Sequence, residues 1–242
     1  MNKIDHSVNI AWQKPQLSNK PVGYQSSTRG DLIYENIFEL TFEYLVGTKV
    51  AGEIFEFGSF RGYTAKVIVK NMLKFNLNGS FHLFDSFKGL PDINNSEDYD
   101  SYEVAQNKSW FEGQMAVDQS VPVALGEALS ETIGKSKYEI YEGFFDETLP
   151  KFSSKFKAAL CHIDCDLYSS TITVLNYLFS NNMLVDGAVL MFDDWNCNRG
   201  NPNMGQRRAL SEILNNYKKV KVSPFHSYGW HGQSFVYHSP YI

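Results

Sequence analysis

Residues 188–195 read Ala188-Val189-Leu190-Met191-Phe192-Asp193-Asp194-Trp195: five apolar residues in a row, then two acids and an aromatic. An unbroken apolar run of this length reads as a strand covered on both faces, the condition of a parallel sheet. Residues 158–163 repeat the pattern as an apolar strand ending at Asp164. Working outward, Glu53–Phe57 is a short strand ending in Gly58, and Ser80–Phe84 a strand ending at Asp85. Tyr138–Tyr141, Lys219–Val222 and Ser234–Tyr237 supply the remaining strands. Helices are predicted over Asp31–Val46 with Asp31 as N-cap, Tyr63–Phe75, Val121–Ile133 closed by Gly134, Ser170–Phe179 and Met204–Tyr217. This alternation predicts an α/β fold: a doubly wound, Rossmann-like, seven-stranded and mostly parallel sheet with an antiparallel C-terminal strand. In such sheets ligands sit at the carboxyl ends of the strands, so the residues that follow the strands carry the information.

The chain has 242 residues, 43% hydrophobic and 20% charged, a globular balance that excludes disorder as the main state. A net charge of -5 argues against a nucleic-acid binder that works by phosphate neutralisation. No apolar run approaches the roughly 20 residues of a membrane helix, and residues 1–20 lack the apolar centre of a signal peptide. Cys161, Cys165 and Cys197 form no CxxC, so neither a disulfide framework nor a zinc knuckle is expected. The expectation is a cytoplasmic protein with no membrane or nucleic-acid partner. Aromatics at 15% fit a filled core or an aromatic-lined pocket equally well, and they leave a homo-oligomer surface open. The organisation expected is a single domain over 1–242. Residues 1–30 form a polar arm or lid. Residues 92–119 are an insertion, acidic at its start (Asp92, Glu97, Asp98, Asp100, Glu103), that reads either as a substrate lid or as a solvated insertion with a local helix.

Four strand-end motifs carry chemistry. Glu56-Phe57-Gly58-Ser59-Phe60-Arg61-Gly62 is a strand-to-helix turn with GxxxG spacing, which meets neither the dinucleotide fingerprint nor the P-loop pattern. Its glycines allow a close backbone approach to a ligand; a turn that simply needs small residues reads the same way. Asp85, in Phe84-Asp85-Ser86-Phe87-Lys88-Gly89, stands where a carboxylate can accept ribose hydroxyls, or form a turn. His162-Ile163-Asp164-Cys165-Asp166 and Phe192-Asp193-Asp194-Trp195 place acids just past two buried strands. If those strands are neighbours, Asp164, Asp193 and Asp194 converge, and they repel unless a cation neutralises them. Hard oxygen ligands suit Mg2+ or another hard divalent ion; helix capping is the alternative use of the same acids.

With these residues in view the chain resembles the macrocin O-methyltransferase family (TylF/MycF-like), metal-dependent class I methyltransferases that use S-adenosylmethionine. The similar segments are EFGSFRGYTA from 56, FDSFKGLP from 84, EGFFDETLP from 142, HIDCDLYSST from 162 and FDDW from 192. The resemblance implies an S-adenosylmethionine-dependent O-methyltransferase that acts on a hydroxyl of a sugar or other vicinal diol in polysaccharide or natural-product biosynthesis. The acceptors it implies are small-molecule sugars or glycosides, nucleotide- or phosphate-linked ones included. It implies that Glu56, Gly58, Ser59 and Gly62 hold the methionine moiety, Asp85 and Ser86 the ribose, and Gly143 and Phe144 the adenine. It assigns Asp164, Asp193 and Asp194 to the metal and Asp166 to general base.

Several residues read more plainly. His162, inside a strand, is expected to pack in the core. His226 and His231, near the last turn, are expected at the surface or in packing, with a reach into the acceptor pocket as the alternative, and Trp195 either walls the acceptor site or packs. Arg199, Arg207 and Arg208 either meet an anionic substrate or form a solvated helix face. Two other readings remain: an NAD(P)-dependent oxidoreductase, and a non-catalytic binding domain on the same fold.

Overall fold

The computed structural model describes residues 28–240. In chain order its elements are α1 (Thr28–Gly47), β1 (Glu53–Phe57), α2 (Tyr63–Lys74), β2 (Phe81–Asp85), the one-turn α3 (Ser96–Tyr99), α4 (Ser120–Ile133), β3 (Tyr138–Glu142), the one-turn α5 (Phe145–Thr148), β4 (Ala158–Ile163), α6 (Tyr168–Ser180), β5 (Leu184–Phe192), α7 (Gly205–Asn216), β6 (Lys221–Tyr228) and β7 (Gly232–His238). The strands form one seven-stranded sheet in the order β3-β2-β1-β4-β5-β7-β6. The first five pair in parallel, while β7 runs antiparallel to both β5 and β6. The sheet is the one expected. Most of the proposed arm lies outside the described residues.

Alternate strand residues face opposite sides, and each side has its own core. Phe55 and Phe57 of β1, Cys161 and Ile163 of β4, and Leu190 and Phe192 of β5 point toward α6 and α7. Ile54, Leu160, Val189 and Met191 point toward α1, α2 and α4. The five-residue run at 188–192 is therefore fully buried because each face of β5 is covered by helices. On α1, Ile37, Phe38, Phe42 and Leu45 are buried, the i, i+1, i+5, i+8 stripe of a helix lying on a sheet.

Several boundaries differ from the sequence reading; β5, for one, begins at Leu184, four residues before Ala188. Helix α1 is helical from Thr28, so position 31 lies in its first turn and not at the N-cap. The C-terminal hairpin is longer than expected, because the edge strand β6 is mostly solvent-facing and polar and shows no apolar signature. The stretch 92–119 contains α3 and a π-turn over Tyr102–Gln106.

That stretch is tied down by acids. Asp98 is buried, and its carboxylate accepts the backbone N–H groups of Tyr168 at 2.7 Å and Ser169 at 3.1 Å. It thus caps α6 from 70 residues away. Glu103 accepts from the backbone N–H of Asn198 at 3.2 Å, while the Asn198 side chain accepts from the Glu103 N–H at 3.0 Å. The stretch is bolted to the turns that follow β4 and β5.

Candidate active site

Register explains why the strand-end residues meet. Phe57 of β1 lies beside Ile163 of β4, which lies beside Phe192 of β5. The next residues, Gly58, Asp164 and Asp193, therefore stand side by side. The ladder continues into them: Asp164 N–H donates to the Phe57 carbonyl at 2.9 Å, and Asp193 N–H to the Ile163 carbonyl at 3.0 Å. Gly58 has φ +92°, and a Cβ there would lie 1.8 Å from the Asp164 carbonyl oxygen. Any other residue at 58 would push the β4 turn away.

Asp164, Asp193 and Asp194 each offer a carboxylate oxygen, and these atoms lie within 4.8 Å of one another. Burial pushes the Asp164 and Asp194 carboxyls well above the ordinary range, and repulsion from their acidic neighbours adds to it. Asp193 differs. Burial opposes its ionisation too, but His231, His162 and the Tyr34 hydroxyl outweigh that and hold its carboxyl below the usual range. The chemistry of this set fits a hard divalent cation, which would relieve the repulsion that now raises two of the three. Asp166 has φ +57°, and its backbone N–H donates to Asp194 at 3.0 Å. Gln206, from the first turn of α7, accepts from the Asp194 N–H at 2.9 Å and donates to the Ile163 carbonyl at 3.0 Å, bracing both strand ends.

The glycine turn and Asp85 form the adjoining half. The Asp85 carboxylate accepts backbone N–H groups of Ser59 and Phe60, each at 2.7 Å, and of Phe87 at 2.6 Å. Three of its roughly four lone-pair directions are thereby used. Burial still pushes this carboxyl up. The Ser59 hydroxyl donates to Glu56 at 2.8 Å, so Glu56, Ser59 and Asp85 form one connected set. Gly62 takes φ +76° at the start of α2. The Ser86 hydroxyl is held within its own turn by the Gly89 carbonyl at 3.0 Å. Gly143 N–H donates to the Asp85 carbonyl at 3.0 Å, which brings Gly143 and Phe144 to the same rim.

These motifs fall within one stretch that matches a known family. A model of the family described as Macrocin-O-methyltransferase (TylF) matches residues 34–223. The chain belongs to that family. It is an S-adenosylmethionine-dependent O-methyltransferase, and the oxidoreductase reading is set aside. Solved structures agree on the fold. The O-methyltransferase NovP superposes with a TM-score of 0.71 at 16% identity, over 97% of this chain and 98% of that one. The calicheamicin methyltransferase CalS11 gives 0.69 at 20% identity, over 85% and 79%. TomG from Streptomyces achromogenes, an O-methyltransferase of tomaymycin synthesis solved with S-adenosylmethionine, gives 0.54 at 16% identity, over 97% and 90%. No curated protein matches in sequence. Among the described residues, no helix is long and apolar enough to cross a membrane.

In this macrocin-family methyltransferase several contacts escape sequence reasoning. Tyr34 of α1 donates to both oxygens of Asp193, at 2.9 and 3.1 Å. His231 lies in the β6–β7 turn, where it is buried, and its Nδ1 donates to the Asp193 carbonyl at 2.7 Å. His162 is buried as expected, but it is more than packing. It stands between two carboxylates, 3.5 Å from Glu56 and 3.9 Å from Asp193. No local pattern marks these partners, which are brought in from up to 159 residues away. His226 packs at a tilt against Phe225, and Trp195 packs on Phe192 and Phe235. The arginines are engaged by protein: Arg199 by Tyr102, Arg207 by the Trp195 carbonyl, Arg208 by Glu97 and Glu212. Cys161 and Cys165 are buried and free.

Proposed function

We propose that this methyltransferase acts on a hydroxyl of a sugar or sugar-like vicinal diol, with a divalent cation held by Asp164, Asp193 and Asp194. The observation that carries the reading is the convergence of those three acids, Asp193 buried and the other two partly so, within 4.8 Å beside the glycine turn. CalS11 is itself described as a TDP-rhamnose 3′-O-methyltransferase, which supports a nucleotide-linked sugar as one acceptor class. When bound, S-adenosylmethionine supplies an electrophilic methyl, and the cation lowers the pKa of an acceptor hydroxyl.

The chain's own residues supply placement. Glu56, Gly58, Ser59 and Gly62 hold the methionine end, and Asp85 with Ser86 the ribose. Gly143 and Phe144 border the adenine. Asp166 is the general base: its backbone is anchored to Asp194, and its side chain takes the acceptor proton directly or through one water. Because methyl transfer needs an in-line approach at short range, the rigidity of these strand ends supplies much of the rate.

The test is calorimetric titration with S-adenosylhomocysteine in Mg2+ and in chelator, followed by an acceptor screen in each. Binding in both, with methylation of diols only where Mg2+ is present, is the expected result. Turnover that survives chelation would remove the metal. No binding in either would bring the non-catalytic reading to the front.

A further inference from the structure

The Tyr34 hydroxyl straddles the Asp193 carboxylate, 2.9 Å from one oxygen and 3.1 Å from the other. A single donor shared by both oxygens fixes the rotation of the carboxylate about its own axis. Each oxygen has two lone-pair directions, and Tyr34 takes one of them on each. His231 grips the Asp193 carbonyl with Nδ1 at 2.7 Å, and that nitrogen and His162 Nε2 also face the carboxylate, but at 3.5 and 3.9 Å, so the short hydrogen bonds to it come from Tyr34. The Tyr34 ring is wedged among Tyr63, Tyr228 and His231, with centroids at 5.9, 6.3 and 6.0 Å. These rings limit its movement away from the acid.

Packing of α1 does not need this hydroxyl. The helix is seated by Ile37, Phe38, Phe42 and Leu45, all buried. Tyr34 lies one turn before Phe38 on the same face and spends its polar end on Asp193. Asp164 and Asp194 receive no comparable side-chain hydroxyl among the described residues.

We infer that Tyr34 is a positioning residue for the cation: its hydroxyl sets the orientation in which Asp193 faces Asp164 and Asp194. This rests on the cation reading above. Partners that orient a ligating carboxylate typically change metal affinity by roughly 10–100-fold when removed.

The test uses Mn2+ as the probe, followed by loss of its free-ion EPR signal, on the full chain. Tyr34→Phe is expected to weaken Mn2+ binding by roughly 10-fold or more, with S-adenosylhomocysteine affinity kept within about twofold. On an Asp193→Asn background the same change should alter Mn2+ affinity by less than about twofold, because its route of action is gone. Equal Mn2+ affinity of parent and Tyr34→Phe would overturn the inference. So would a loss of the same size on the Asp193→Asn background, or a parallel loss of Mn2+ and S-adenosylhomocysteine binding that reports general disruption. A parent that takes up no Mn2+ at all would instead sink the cation reading, and this one with it.

Discussion

The backbone N–H of Asp166 donates to the carboxylate of Asp194 across 3.0 Å. The turn after β4 is thereby lashed to the turn after β5, and the candidate base and a candidate cation ligand belong to one rigid unit. Asp166→Asn keeps that backbone bond and removes the base. Its kcat should fall by roughly 10²–10⁴-fold, with little change in S-adenosylhomocysteine or Mn2+ affinity. Single-turnover kinetics against the parent checks this; an unchanged kcat would reassign the base.

Asp164→Asn separates function from stability. Turnover that depends on Mg2+ should be lost, while S-adenosylhomocysteine affinity stays nearly intact. The chelated variant should also melt higher than the chelated parent, since a buried carboxyl raised by burial and by its neighbours is replaced by a neutral amide. Each kcal/mol so gained corresponds to about 2–4 °C in a chain of this size. A lower melting temperature in chelator would contradict the repulsion argument.

Gly58→Ala tests the close approach of β1 to the β4 turn. The new methyl would take a φ of +92° and meet the Asp164 carbonyl oxygen. Backbone strain and overpacking together predict a loss of about 3–5 kcal/mol in urea unfolding. A loss below about 1 kcal/mol would mean that the two strand ends separate freely.

His162 supplies a pH signature. Burial alone would lower its pKa, but Asp193 and Glu56 on either side, with the field of Asp164, raise it to about 10 against an ordinary 6.5. The folded state then holds the proton more tightly than the unfolded state. The stabilisation is fully present below about pH 6.5 and is lost as pH climbs through about 10. In chelator, the melting temperature of the parent should fall more steeply over this window than that of His162→Gln. Parallel profiles would show that the imidazole is neutral.

Asp98→Ala removes the cap that α6 receives from the 92–119 stretch. It should cost about 0.5–2 kcal/mol and open that stretch to limited proteolysis. Unchanged protease resistance would place the anchoring elsewhere, at Glu103 and Asn198.

Legibility followed the range over which each interaction acts. The strands and Asp164, Asp193 and Asp194 could be read because an acid after an apolar run is a local pattern, and register then carries it into the site. Gly58 was marked by its place at a strand end. Tyr34 was not, since its periodicity on α1 identifies a core-facing position and nothing about the acid it meets. Asp98 looked like part of a solvated acidic run until the fold brought it to the start of α6. Edge strand β6 hid its length because a mostly exposed strand carries no hydrophobic signal.

The hairpin of β6 and β7 covers the edge of β5 and delivers His231 to Asp193. On the ribosome these strands emerge after the rest of the sheet. Until they do, Val189 to Phe192 would present bare N–H and C=O groups along an apolar strand, the kind of edge that recruits other chains. The same late-arriving segment thus both shields the nascent sheet from aggregation and brings Asp193 its His231 partner, so a chain stalled before residue 231 would be sticky and would lack that contact.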